Sequence, residues 1–143
     1  MTVEVSVTTP TRDSAPALAR CLAALATQSL DPARYEVLVV DDGSTDDTPA
    51  VVETAQRRAR CAIRLFRLPG RTGIPAARNL AVREAQGDLI AFVDSDEFAP
   101  PTFLAAHLDC HLRHGRTIIC RGPVIVTHSL QQPFGTRGGL LDL

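Results

Sequence analysis

Apolar and polar positions along the chain alternate between two periods. Over Thr2–Thr8, Val3, Val5 and Val7 recur at every second position, which predicts a strand. Leu18, Leu22 and Leu25 then recur at helical spacing. A cap at Asp13 or Ser14 and a first-turn proline, Pro16, precede that helix, and Asp31-Pro32 breaks it. Tyr35–Val40 is a compact apolar strand of the kind buried on both faces. Val51, Val52 and Ala55 begin the apolar face of a second helix, which is expected to end near Arg60. Ile63–Leu68 predicts a third strand and Ile74–Gln86 a third helix, stopped by Gly87 at the position after its cap. Leu89–Val93 predicts a fourth strand, and Thr102–His114 a fourth helix stopped by Gly115. Thr117–Cys120 and Val124–Thr127 read as further strand, and the polar, glycine-rich tail from His128 carries no assignable pattern.

Strands alternating with helices of ten to fifteen residues predict an α/β fold. The sheet is expected to be Rossmann-like and mostly parallel, with helices on both faces. The length of 143 residues suits one domain, and the 45% apolar and 22% charged balance is ordinary for a globular protein. A disordered tail, a collagen-like rod and a membrane protein are excluded on that ground. Apolar runs such as Val37–Val40 fall far short of a spanning helix. No basic-then-apolar leader opens the chain, so a cytoplasmic setting is expected. Cys21, Cys61, Cys110 and Cys120 have no CxxC spacing, and are expected to be reduced and mostly core filler. A net charge of -1 gives no global attraction to nucleic acid or to an anionic membrane.

All fifteen basic residues are arginine. Without lysine there is no Walker loop, no Schiff-base chemistry and no receiver-type phosphorelay. The acids are uneven: six aspartates and one glutamate fall within Asp41–Asp47 and Asp94–Glu97. In an open α/β sheet, ligands bind beyond the carboxyl ends of the strands, where both clusters fall. The same edge receives the hydroxyl-bearing turn Thr8-Thr9-Pro10-Thr11-Arg12 and the loop Pro69-Gly70-Arg71-Thr72-Gly73.

Asp94-Ser95-Asp96 has the form D-x-D. In an extended segment its carboxylates would project to one side, roughly 6–7 Å apart along the chain. Such a pair suits a hard divalent cation that bridges phosphate oxygens. Asp41 and Asp42 either shape a turn, or one of them accepts from a base N–H or a ribose hydroxyl. The third-place glycine excludes an EF-hand. Asp46 and Asp47 are favourable charges at a helix N-terminus. Arg71, in a loop, is expected to face an anionic ligand. Arg78 either does the same or orients the acidic loop as an architectural residue. His107, His111 and His114 share a helix face but lack the glutamate of a zinc protease, and read as a polar surface.

With these residues assembled, the chain resembles the family 2 glycosyltransferases of the GT-A fold. The likeness rests on Val5–Arg12, Val37–Thr48, Gly73–Asn79 and Gly87–Asp96. It implies a nucleotide-diphospho-sugar-binding domain over residues 1–127. Residues 128–143 would be an irregular tail or the start of a missing acceptor-binding half. It implies metal-dependent, inverting transfer from a UDP-sugar to an acceptor hydroxyl, with Mg²⁺ or Mn²⁺ as cofactor. The implied donor contacts are Thr9, Pro10, Thr11, Asp41, Asp42, Arg71, Arg78 and Asp94. Asp96, with Asp94, would bind the metal. The acceptor is an unspecified glycan, lipid or small molecule. No general base is identified, since Asp109 comes too early and Asp142 lies next to the last residue. Only 47 residues follow Asp96. The alternative is therefore a non-catalytic nucleotide-sugar-binding module, completed by a second copy or a partner chain. A metal-dependent phosphatase ranks low, since Phe98 and the lack of lysine do not suit one.

Overall fold

Four parallel strands form one sheet in a computed structural model that describes residues 2–115 and 118–122. They are β1 (Val5–Thr11), β2 (Tyr35–Asp41), β3 (Ala62–Arg67) and β4 (Leu89–Phe92), in the spatial order β3-β2-β1-β4. The helices are α1 (Ala15–Leu25), α2 (Thr48–Arg58), α3 (Ile74–Glu84) and α4 (Phe103–His114), with one 3₁₀ turn over Pro32–Arg34. The chain steps outward from β1 to β3 and then crosses back to β4 on the far side of β1. That reversal puts a topological switch point between β1 and β4, where such sheets bind ligands.

Alternation along the strands assigns the two faces. Val5 and Val7 of β1, Val37 and Val39 of β2, and Ile63 of β3 pack against Leu18, Leu22 and Leu25 of α1, Val52 of α2 and Leu104 of α4. Leu38 and Val40 turn the other way, onto Ala77 and Ala81 of α3. β2 is buried along its whole length, as its composition predicts. Full burial of each Leu or Val is worth about 1.5–3 kcal/mol.

β1 is displaced from the predicted Thr2–Thr8 and carries Pro10 inside it. The chain tolerates this because of which way Pro10 points. The Thr8 carbonyl accepts from Val93 N–H on the β4 side, and the Thr11 carbonyl accepts from Asp42 N–H on the β2 side. Pro10 therefore aims its nitrogen past the end of β4, and no ladder bond is lost.

The third helix ends at Glu84, with extended backbone at Ala85, so Gly87 is not its capping glycine. Gly87 is instead required by close approach: a Cβ there would meet Ser6 N and Val5 C of β1 at 2.8 Å. The turn is pinned from below. Ser6 Oγ accepts from Gly87 N–H and donates to buried Glu36, which also accepts from Gln86 N–H and Arg64. Gly115 does follow α4 at positive φ, as predicted. Ile118–Cys120 is not strand. Thr117, Val124–Thr127 and the tail from His128 lie outside the described residues. Among the described residues, no helix is long and apolar enough to cross a membrane.

Candidate functional site at the strand ends

The carboxyl ends of the four strands bring their loops to one edge. The β1 loop is held to the β2 loop by its backbone. Arg12 Nη1 donates to the Asp42 carbonyl at 3.3 Å, and Asp13 N–H donates to Ser44 Oγ at 2.9 Å. Asp13 adopts a left-handed φ of 43°, which places its carboxylate on Thr45 N–H and Oγ1. In the β2 loop Gly43, at φ 75°, leaves no room for a Cβ, which would stand 3.0 Å from Gly70 Cα and C in the β3 loop.

The adjacent aspartates of this loop have separate tasks. Asp41 is fully buried; it accepts from Ser44 N–H at 2.8 Å and pairs with Arg67 Nε at 3.1 Å. Asp42 is 6% exposed, and its carboxylate gathers the loop that opens α3. It accepts from Thr72 N–H at 2.6 Å, Thr72 Oγ1 at 2.7 Å and Gly73 N–H at 2.9 Å. These hydrogen bonds hold its pKa below the ordinary carboxylate value. Asp46 serves two helix starts at once, accepting from Ala15 N–H of α1 and Thr48 N–H of α2. Ser14 stands at the α1 cap but does not cap it with its side chain.

The Ser14 hydroxyl is committed elsewhere. It lies 2.7 Å from Thr11 Oγ1 and 3.2 Å from Ser95 Oγ, joining the β1 end to the acidic loop. That loop departs from the extended form expected of a D-x-D segment. Glu97 N–H donates to the Asp94 carbonyl at 3.0 Å and Asp94 N–H to Glu97 Oε2 at 3.0 Å, so Asp94–Glu97 is a tight turn. Ordinary spacing along a strand therefore does not apply to the two carboxylates. Arg78 Nη2 reaches Asp94 Oδ1 at 2.6 Å across the gap from α3, and its guanidinium lies over the Phe92 ring at 5.9 Å. Arg78 Nε is buried without a hydrogen-bond partner among the described residues.

The residues singled out in the sequence thus meet at one edge but in different states. Thr9 and Pro10 are buried in β1, and the Thr9 hydroxyl has no partner among the described residues. Thr11, Asp41, Asp42, Arg78 and Asp94 are bonded within the protein. Arg71 and Asp96 are exposed, and no described residue bonds to the side chain of either. Arg12, Ser14, Ser95, Arg67, Thr72 and Gly73 complete the framework and were not singled out. One of them carried a usable signal: Arg67 stands opposite Asp41 in the β2–β3 register.

No group of three or more His, Cys, Asp or Glu gathers as a ready metal site among the described residues. The donor set still suits a hard cation that takes only one or two carboxylates from protein and fills its shell with water and phosphate oxygens. At this edge Asp96 and the Asp94 oxygen not held by Arg78 are the carboxylate oxygens that could serve such a cation.

The sequence profile described as Glycosyl transferase family 2 matches residues 6–133. The uncharacterized glycosyltransferase YfnE of Bacillus subtilis is 33% identical over 118 residues, 82% of this chain and 29% of that protein. Residues 1–349 of Staphylococcus aureus TarS, solved in complex with UDP-GlcNAc, superpose with a TM-score of 0.73 at 33% identity. That match covers 78% of this chain and 32% of the solved one. A mannosyltransferase from Pyrobaculum calidifontis, solved with GDP-Man and Mn²⁺, superposes with a TM-score of 0.72 at 30% identity. It too covers 78% of this chain, and 33% of the solved one. The chain therefore spans 29% of YfnE and about a third of each of these two solved chains.

Proposed function

Because the chain belongs to glycosyltransferase family 2 and has its GT-A fold, we propose that it is the donor-binding half of an enzyme that moves a sugar from UDP to an acceptor hydroxyl. The observation that carries this reading is the state of Arg71 and Asp96. Both are exposed at the strand-end edge, and no described residue engages either side chain. A guanidinium and a carboxylate left open at a switch point suit a diphosphate and the cation that accompanies it.

In this reading Arg71 pairs with the diphosphate, while buried Asp41 and its exposed partner Arg67 serve the fold. Asp42 keeps the α3 loop in place and presents its remaining lone pairs to the nucleoside, beside Thr9 and Pro10. Arg78 orients Asp94 rather than touching the donor. Asp96, with Asp94, holds Mg²⁺ or Mn²⁺, which when bound neutralises the departing diphosphate. Transfer with inversion is the outcome that the family likeness implies. The two solved relatives carry different bases, uracil in one and guanine in the other, so the choice of UDP rests on the sequence likeness. A cytoplasmic setting fits the same reading.

A second reading makes this a nucleotide-sugar-binding module completed by a partner chain or a second copy. Transfer to an acceptor by the 143-residue chain itself would exclude the module, whereas UDP binding with Mn²⁺ and no transfer leaves it standing.

Calorimetric titration with UDP tests the site. Binding is expected to weaken about tenfold or more when Mn²⁺ is withheld, or when Asp96→Ala is used. Arg71→Ala is expected to cost about tenfold, the worth of one charge-assisted hydrogen bond. Unchanged UDP and Mn²⁺ affinities in Asp96→Ala would overturn the assignment.

A further inference from the structure

Away from the strand-end site, two half-buried thiols share one hollow. Cys110 lies on α4, and Cys120 lies in the irregular segment 118–122. Both line a cavity of about 200 Å³ with Ala106, His107, Arg121 and Gly122. The remaining cysteines differ: Cys21 and Cys61 are buried in the apolar core, as expected of filler. The outer pair does not fit that description.

We propose that Cys110 and Cys120 form a dithiol site that closes to a disulfide by exchange with a small-molecule disulfide. The two thiols line the same small cavity, and the nearness of Cys110 together with burial raises the pKa of Cys120 above its ordinary value. His107 stands on the same wall, its pKa held below the ordinary value by burial and by His111. Phe103 meets that ring edge-on at 4.5 Å and fixes its place. Arg121 completes the same wall. One thiolate attacks the incoming disulfide, forms a mixed disulfide and releases one small thiol. The second thiol then attacks the protein sulfur and releases the other. Two protein thiols and one small disulfide thus become one protein disulfide and two small thiols.

The bond would clamp the segment 118–122 to α4, which begins shortly after the acidic turn. The chain beyond residue 122 would then leave from a fixed point on that helix. The proposal does not depend on the nucleotide reading.

The test uses the whole 143-residue chain with oxidised glutathione, followed by blocking of free thiols, digestion and mass spectrometry. The expected product has lost two hydrogens and yields one linked Cys110–Cys120 peptide, reversed by reductant. Cys110→Ser and Cys120→Ser should each lose the link and take up one glutathione at the surviving thiol. In urea the short loop between the two cysteines still favours this pair, but the link should form more slowly than in buffer, because the fold no longer holds the thiols in one cavity. Glutathione held on both cysteines without a cross-link, or a link that forms as fast in urea as in buffer, would overturn the proposal.

Discussion

Two aspartates adjacent in sequence, Asp41 and Asp42, differ by which groups reach them. Asp41 is closed off by Ser44 and Arg67. Asp41→Ala leaves a buried N–H without an acceptor, so it should cost about 1–3 kcal/mol of folding stability. It should leave Mn²⁺-dependent UDP affinity nearly unchanged in the folded fraction, the reverse of Asp96→Ala; denaturant unfolding and calorimetry on both variants check the contrast. Asp42 makes a different prediction. Hydrogen bonds from Thr72 and Gly73 lower its pKa below the ordinary 3.8, so its stabilisation is present above that value. The contribution is lost as pH falls below 3.8 toward the folded-state pKa. The urea midpoint of the wild-type chain should therefore drop in that acid window. Asp42→Asn, whose amide turns a donor toward donors, should be less stable at neutral pH and show a shallower acid decline. Some decline should persist, since Asp13 and Asp46 are lowered by their own hydrogen bonds. Apart from the place of Arg67 opposite Asp41, this division between neighbouring carboxylates was not legible in the sequence. It is decided by loops that arrive from β3 and α3, thirty residues away.

At the scale of elements, far more could be read in advance. The fold class, four strands and four helices followed from periodicity, because burial on one or two faces leaves its mark on every second or every third to fourth residue. β2 and α4 match within a residue or two. The misreadings share one cause: a residue's usual role was assumed where a tertiary contact had assigned another. Pro10 was expected in a turn after the first strand, but it lies inside β1 where β4 has already stopped. Asp13 or Ser14 was expected to cap α1, but Asp46 arrives from the next loop to take that N–H. Gly87 was expected to turn a helix end, but it makes room for β1. The last of these is testable. Gly87→Ala would press a methyl onto the Ser6, Val5 and Glu4 backbone, which cannot swing aside as a side-chain tip can. It should cost about 1–3 kcal/mol, the usual range for an overpacked site. Thermal unfolding of the variant measures it, and a neutral result would mean that the β1–α3 approach is looser than described.

The whole molecule is held by one strand with two loyalties. β2 sends Val37 and Val39 into the cluster beneath α1, α2 and α4, and Leu38 and Val40 into the cluster beneath α3. Neither cluster can dissolve without freeing the strand the other depends on. The α3 side is the less completely covered, with Phe92 52% and Ile74 57% exposed, so it has less apolar burial of its own to survive on. The chain should accordingly unfold as a single unit, although it spans only about a third or less of its relatives' length. The chain carries its own reporter. Tyr35 is its one tyrosine and it has no tryptophan. The Tyr35 hydroxyl donates to the Leu25 carbonyl at 2.8 Å, so its fluorescence follows the packing of α1 on β2. Far-ultraviolet circular dichroism follows all four helices together. In urea the two signals should change at one midpoint. Leu22→Ala, in the larger cluster, and Leu38→Ala, in the smaller, should each lower that shared midpoint by the equivalent of about 2–5 kcal/mol. If Leu38→Ala instead released helix signal before the tyrosine responded, α3 would be a separately melting layer. The strand-end loops that α3 and β2 hold together through Asp42 would then come apart before the core does.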